Sequence, residues 1–174
     1  MRDNIPLVLP LRDWPADDQA AWRTLFTTGG FLEDDGPGAR WAPGTRQKRA
    51  QGYGQWLSFL LRHDSRALAE PPTTRIIPER VRACLLDCEE RLAPQSISNL
   101  FTNLAAVARA IEPLRDWAWL DLVIGRLIAR SNTISLPPAP AISAKSVFGW
   151  SLSRLQALHD SREGSKLMRA VEFR

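Results

Sequence analysis

Prolines divide the region from residue 45 to residue 130 into short segments, each with apolar side chains at helical spacing. Pro78, Pro94 and Pro113 stand between these segments, and proline is poorly tolerated inside a helix because it lacks the backbone N–H. The apolar residues recur at offsets of three and four, the period of one buried helix face. The sequence shows neither strand-like alternation nor an internal repeat. We therefore predict an all-α protein: a compact orthogonal bundle of four to five short helices, with an N-terminal helical arm and a C-terminal linker helix.

Four helices are predicted in this region, with approximate bounds 45–62, 78–93, 96–112 and 117–130. Thr45 is a capping residue type for the first of them, and Asp116 can cap the last. The last helix is apolar nearly all round, so we expect it to be central. Gly52 and Gly54 weaken the first helix by roughly 1 kcal/mol each relative to alanine. Either packing by its aromatic residues compensates, or the glycines let another backbone approach closely.

The flanking segments complete a predicted three-part organisation: an arm with a short helix (1–44), a core domain (45–130), and a linker with a last helix (131–174). Asp13-Trp14-Pro15 starts the short helix, which should stop near Gly29-Gly30. Residues 33–44 form a loop that Trp41 should anchor to the body of the protein. Pro137, Pro138 and Pro140 mark the linker.

Positive charge is concentrated after the first segment. Residues 1–44 hold four basic and seven acidic side chains, residues 45–130 hold thirteen and nine, and residues 131–174 hold six and three. The first predicted core helix opens on Arg46, Lys48 and Arg49, and cations at a helix N-terminus oppose the backbone dipole. An anion such as a DNA phosphate would remove that penalty. The pattern is that of a domain that faces a polyanion.

Other protein classes find little support in the composition. The sequence has no apolar run near the roughly 20 residues that span a bilayer and no secretory signal pattern, so we expect a cytoplasmic protein without a membrane partner. Cys84 and Cys88 share one helical face and are expected to be small buried hydrophobes in a reducing compartment. A metal site would need two more ligands nearby. No metal, cofactor or small-molecule substrate is predicted.

An ordered series of short motifs runs through residues 45–130. It reads Tyr53-x-x-Trp56-Leu57-x-Phe59-Leu60, then Arg75-Ile76-Ile77-Pro78-Glu79-Arg80-Val81, Ser96-Ile97-x-x-Leu100, Ile111-x-Pro113 and Asp116-Trp117-x-Trp119-Leu120. This series resembles the N-terminal core-binding domain of tyrosine recombinases, the phage-type integrases. One departure is Ile77, which cannot cap its helix where the family often has threonine.

The resemblance implies a small helical domain that clamps one face of double-stranded DNA while a separate catalytic domain clamps the other. It also implies that the start of the first core helix and the open face of the Ser96 helix lie against DNA. The DNA-binding residues predicted in this way are Thr45, Arg46, Lys48, Arg49, Ser98, Asn99, Asn103 and Arg109. Arginine and lysine suit phosphate, and asparagine can reach adenine edges. The alternative for these positions is a solvated basic turn and an ordinary solvated helix face.

No catalytic set is predicted. Recombinases of this kind use a tyrosine nucleophile with arginines and a His-x-x-Arg motif, and the chain has two such matches, starting at His63 and His159. Both follow the single tyrosine, Tyr53, which lies on an apolar stripe, so neither fits the family order. Residues 170–174 resemble the start of the catalytic domain, which makes the chain a truncated product or a fragment.

Three functional interpretations remain open from the sequence. The first is a DNA-binding module of a site-specific recombinase without strand-cleavage activity of its own. The second is an interaction protein whose partner is a full-length recombinase. The third is a remnant of a truncated integrase that has no retained role.

Overall fold

The computed structural model describes residues 5–133 and 144–160, which belong to two compact units, 1–134 and 135–174. The helices are α1 (Ala16–Thr24), α2 (Pro43–His63), α3 (Pro78–Glu89), α4 (Pro94–Ile111), α5 (Ala118–Thr133) and α6 (Ala144–Asp160). Short 3-10 turns cover Leu11–Asp13 and Ser65–Ala69. The described residues contain no strand, which confirms the prediction of an all-α protein.

Proline opens three of these helices. Pro43, Pro78 and Pro94 each stand at the first helical position, where the missing N–H is no loss and the fixed φ suits the first turn. The predicted start at Pro78 is confirmed. Two related predictions are wrong: Thr45 lies inside α2 rather than capping it, and Pro94 begins α4 instead of closing the helix before it.

The central helix is α4, which packs against α2, α3 and α5. Its buried positions follow the predicted apolar stripe, and they are Ile97, Ser98, Leu100, Phe101, Leu104, Ala105, Val107 and Ala108. The prediction of a central last core helix is wrong, because α5 buries only Leu120, Ile124 and Leu127. Leu122 on its outer side is 65% exposed. An apolar sequence all round therefore does not make α5 the centre of the fold.

The N-terminal segment is part of the same core. Leu9, Trp14, Trp22 and Leu25 are buried in one cluster with the helices of residues 45–130. The Leu9 N–H donates to the carbonyl oxygen of Gly54 in α2 at 3.0 Å. The predicted boundary at residue 44 therefore does not separate two packing units.

The loop before α2 is held by aromatic contacts. The Trp41 ring lies 6.2 Å from the Trp22 ring and 5.8 Å from the Phe26 ring, centroid to centroid. Edge-to-face and tilted pairs at such distances are favourable. The prediction that Trp41 anchors this loop is confirmed.

A buried ion pair links α1 to the segment before α3. Asp18 and Arg75 are both buried, and an Nη of Arg75 donates to the two Asp18 oxygens at 3.2 and 3.0 Å. The Tyr53 hydroxyl donates to the same carboxylate at 2.7 Å. Burial, followed by the charge of Asp18, raises the pKa of Tyr53 well above its usual value. Three parts of the chain thus meet at one carboxylate in the core.

In the second unit the structure describes one helix, α6. Its apolar side chains Val147, Phe148, Trp150, Leu152 and Leu155 are exposed. The predicted linker prolines, and the part of the predicted last helix after Asp160, lie outside the described residues. Within the described chain, no helix is both long enough and apolar enough to cross a membrane.

Candidate nucleic-acid interface

Helices α2 and α4 approach closely at Gly52. A Cβ atom at this position would lie 2.7 Å from the Cβ of Asn103 and 3.4 Å from the carbonyl oxygen of Leu100. Real Cβ atoms essentially never come as close as the first of these distances. Of the two alternatives for the α2 glycines, close backbone approach is therefore the one that the structure supports. The crossing brings the polar sides of the two helices next to each other.

Beside this crossing lies an open groove of about 460 Å³. The residues that line it are Lys48, Gln51, Gly52, Gln55, Leu92, Ser96, Asn99, Leu100, Thr102 and Asn103. The lining has a cation, four carboxamides and two hydroxyls, but no carboxylate. Carboxamides donate and accept hydrogen bonds at once, so the groove offers both kinds of partner to a polar ligand.

Three predicted site residues meet in this groove: Lys48, Asn99 and Asn103. Lys48 is exposed and has no hydrogen bond or ion pair within the described chain. Asn99 is also exposed, and its side-chain oxygen accepts a 3.2 Å bond from Gln95. The Asn103 amide donates to the Asn99 carbonyl at 2.8 Å. The amide nitrogen of Asn99 and the side-chain oxygen of Asn103 are left for a ligand.

Arg46 and Arg49 do not share the position of Lys48. The Arg46 guanidinium donates to the carbonyl oxygens of Trp41 and Ala39, both at 2.9 Å, and lies 4.4 Å from the centre of the Phe26 ring. Arg49 lies 3.7 Å from the centre of the Trp41 ring, and its partial burial lowers its pKa. These two cations fasten the preceding loop to α2. Their place near a helix start is therefore accounted for by packing, without an external anion.

The other predicted residues lie apart from the groove or inside the protein. Ser98 is only 2% exposed, so the prediction that it lies on the open side of its helix is wrong. Its hydroxyl is small enough to enter the core beside Ile97. Arg109, near the far end of α4, pairs with Asp121 of α5. Thr45 is half-buried within the first turn of α2 and does not line the groove.

Most of the arginines between residues 45 and 130 pair with carboxylates. The seven that do so are Arg62, Arg75, Arg80, Arg91, Arg109, Arg115 and Arg130. Within this range of described residues, the cations without such a pair, carbonyl or ring partner are Lys48, Arg66, Arg82 and Arg126. The charge that faces solvent and is free to meet a polyanion is thus much smaller than the sequence count indicated.

Gln51, Gln55, Ser96 and Thr102 were not predicted as site residues. For the α2 pair a signal is present in the sequence, because positions 48, 51, 52 and 55 share one helical face. A search for positive charge misses it, since glutamine carries none. No comparable signal marks Ser96, which lines the groove from the first turn of α4.

The histidine and tyrosine of the rejected catalytic pattern have structural roles. The His63 ring stacks on Phe59 with centroids 4.8 Å apart, and its Nε2 lies 3.2 Å from an oxygen of Asp87. Tyr53 is buried with its hydroxyl on Asp18. The side chain of His159 lies outside the described part of the chain. Cys84 and Cys88 are buried and unbridged, as predicted.

Among the described residues, no group of three or more histidine, cysteine, aspartate or glutamate side chains could hold a metal ion. Comparisons of the chain with models of protein families, with curated proteins and with solved structures gave no match.

Proposed function

We propose that this chain is a DNA-binding module of the kind found at the N-terminus of tyrosine recombinases, and that it contacts duplex DNA without cleaving it. The orthogonal four- to five-helix arrangement and the division into a core-binding domain and a following linker belong to the same proposal. Its supports are the motif series through residues 45–130 and the chemistry of the groove between α2 and α4.

The groove is the observation that carries the proposal. Lys48 lines a surface that has four carboxamides and no carboxylate. A cation suits a phosphate, and carboxamides suit the edges of bases, adenine in particular. A carboxylate-free polar surface is also what an anionic backbone can approach without repulsion. The DNA contacts proposed are therefore Lys48, Gln51, Gln55, Asn99 and Asn103, rather than the whole predicted set.

The affinity expected from this surface is low. Each neutralised phosphate contributes a salt-dependence slope of about −0.9 in a log–log plot. Residues 45–130 offer few unpaired cations, with Lys48 the one at the groove, so the slope should be shallow. Non-specific dissociation constants for DNA are on the order of 10⁻⁴–10⁻⁶ M at physiological salt, and we expect this module to lie at the weak end. A full-length recombinase in the cytoplasm is a fitting partner, because a second clamp would add avidity.

Fluorescence anisotropy of a labelled random-sequence duplex, titrated with protein at several salt concentrations, tests the proposal. Replacing Lys48 with alanine should make the salt slope shallower by about 0.9. Replacing Asn99 with aspartate should weaken binding further, because it places a carboxylate in the groove. The matched control is Arg82→Ala, which removes an exposed unpaired cation that does not line the groove.

Equal effects of Lys48→Ala and Arg82→Ala on the salt slope would mean that the groove is not the DNA-binding surface. Absence of binding at low salt by folded protein would reject the DNA function and leave the interaction or remnant alternatives. One observation favours an interaction role on its own account: Phe31 and Leu32 are fully exposed on an acidic loop.

A further inference from the structure

A turn between α1 and α2 displays two large apolar side chains. Phe31 and Leu32 are the middle residues of a turn closed by the Glu33 N–H, which donates to the Gly30 carbonyl at 3.1 Å. Both side chains are more than nine-tenths exposed. Two adjacent side chains of this size together form an exposed apolar surface, and such surfaces can mark a contact site. We refer to Phe31 and Leu32 as the tip.

The loop that carries the tip is fixed by its own hydrogen bonds. The Gly36 N–H donates to the Thr27 carbonyl at 2.9 Å, and the Gly29 N–H donates to an Asp35 oxygen at 3.0 Å. A Cβ at Gly29 would lie 2.2 Å from the Glu33 carbonyl oxygen, so only glycine fits at this position without a shift of the loop backbone. A preformed loop loses little conformational entropy when it binds.

The negative charge beside the tip restricts the kind of partner to which the tip can bind. Glu33, Asp34 and Asp35 follow it directly, and within the described chain none of them has an ion-pair partner. Three unpaired carboxylates repel DNA phosphate and anionic lipid. The tip therefore fits an apolar cleft on a cationic protein surface.

The protein itself has such a cleft. Its walls, where α3, α4 and α5 meet, are Leu92, Pro94, Ile97 and Leu127, and its volume is about 130 Å³. An apolar cavity of ~150 Å³ is large enough to bind benzene, so this cleft is about the size of one phenyl ring. Arg130 stands at its rim beside Glu89. Arg126 is one turn earlier on the same side of α5, exposed and without an ion-pair partner in the described chain.

We propose that the tip of one copy docks into this cleft of a second copy, with Phe31 entering between Leu92, Ile97 and Leu127. The unpaired Arg126 then faces the carboxylates of the incoming loop, and Arg130 stands beside it in its ion pair with Glu89. The two surfaces are different, so the contact is head-to-tail and each copy keeps a free tip or a free cleft at its outer end. The contact shares Leu92 with the groove but uses neither Lys48 nor the carboxamides, so it can be tested separately from DNA binding.

The contact is small, and interfaces well below about 1,200 Å² are weak or transient. We expect a rapid, concentration-dependent equilibrium rather than a stable dimer. Salt should weaken it, because the carboxylates and arginines are exposed.

Sedimentation equilibrium of the full chain over a wide concentration range tests the proposal. The weight-average mass of the wild type should rise with concentration. The double variant Phe31→Ala/Leu32→Ala and the double variant Arg126→Glu/Arg130→Glu should each remain monomeric. The control is Leu114→Ala, which also removes a fully exposed leucine from a loop and should associate like the wild type.

Mixing the two non-associating variants gives the decisive result. One retains its cleft and the other its tip, so an equimolar mixture should form a complex of twice the monomer mass and no larger species. A wild type that stays monomeric at millimolar concentration would overturn the proposal. So would tip and control variants that associate alike, or a mixture that remains monomeric. Circular dichroism of each variant verifies that it is folded.

Discussion

The two sides of α2 are built on the same residue type but have opposite characters. Gly52 and Gly54 are two residues apart, and because each residue turns the helix by about 100°, they lie on nearly opposite sides of α2. On the Gly54 side, a Cβ would lie 2.5 Å from the Leu9 carbonyl oxygen, and the N-terminal segment covers the helix. On the Gly52 side the approach to α4 is similarly close, yet the surface beside it opens into the polar groove.

A glycine at which two segments approach closely can therefore lie under a covered surface, as at Gly54, or beside an open groove, as at Gly52. Tyr53 contacts Asp18 of the N-terminal segment, and Arg46 and Arg49 contact the loop before α2. On the open side, Lys48 has no partner within the described chain. Apart from the two glycines, which are both closely packed, stability should therefore be sensitive to changes in the residues that hold the N-terminal segment and loop, and ligand binding to changes on the open side.

The largest effect is expected at the buried carboxylate. Replacing Asp18 with asparagine leaves the charge of Arg75 buried without its partner, and breaking such a pair costs about 3–5 kcal/mol. Urea unfolding followed by circular dichroism measures the loss. The control is Asp17→Asn, an exposed carboxylate in the same helical turn, which should change stability by less than about 0.5 kcal/mol. Equal losses from the two variants would show that the covered side does not depend on this pair.

The second largest effect on stability is expected from substitutions of Gly52 and Gly54. Alanine at Gly54 must displace the Leu9 carbonyl, and alanine at Gly52 must displace Asn103, so each should destabilise the fold by about 1–3 kcal/mol. Gly125 in α5 is the control, because a Cβ added there would have no neighbouring atom within 4 Å. Gly125→Ala should stabilise by about 0.5–1 kcal/mol through helix propensity. Thermal unfolding of the three variants measures the contrast, and stabilisation by Gly54→Ala would contradict the close contact.

Arg46 and Lys48 separate the two sides within one helical turn. Arg46→Ala leaves the Trp41 and Ala39 carbonyls without their charged donor, at a cost of about 1–2 kcal/mol. Lys48→Ala should be within about 0.5 kcal/mol of the wild type in stability. Unfolding by urea measures both. The reverse ranking would mean that the loop before α2 is held mainly by its aromatic rings.

The smallest effect concerns pH. The raised pKa of Tyr53 means that its neutral form is favoured by folding. Its contribution to stability is complete below the ordinary tyrosine pKa of about 10 and is lost as the pH rises above it. The wild type should therefore lose more stability between pH values of about 9 and about 11 than Tyr53→Phe, which has no group to titrate there. Parallel curves for the two proteins would contradict the buried hydroxyl.

Much of the helical layout could be predicted from the sequence. The apolar stripe of α4 and the prolines indicate the class of fold and the start of α3, because helix period and proline chemistry are local properties. The position of the N-terminal segment was missed, because the partner of Asp18 lies 57 residues away. No local pattern identifies such a pair.

For the candidate site, the sequence identified the two helices but only part of the surface. Lys48, Asn99 and Asn103 were predicted and do line one groove. Arg46 was placed with them because it is close in sequence and has the same charge. Its actual partners are main-chain oxygens of a loop, and Ser98 faces the core. Residue type indicates what a side chain can bind, whereas tertiary packing decides which group it meets first.

The ion pair between Asp18 and Arg75 has a consequence for the order of folding. The individual helices can form early, since their hydrogen bonds join near neighbours in sequence and close with little loss of entropy. Arg75 cannot give up its hydration shell until the carboxylate arrives from far upstream. We therefore expect docking of the N-terminal segment and completion of the interior to be coupled, and helices α2 to α5 to be less stable without that segment.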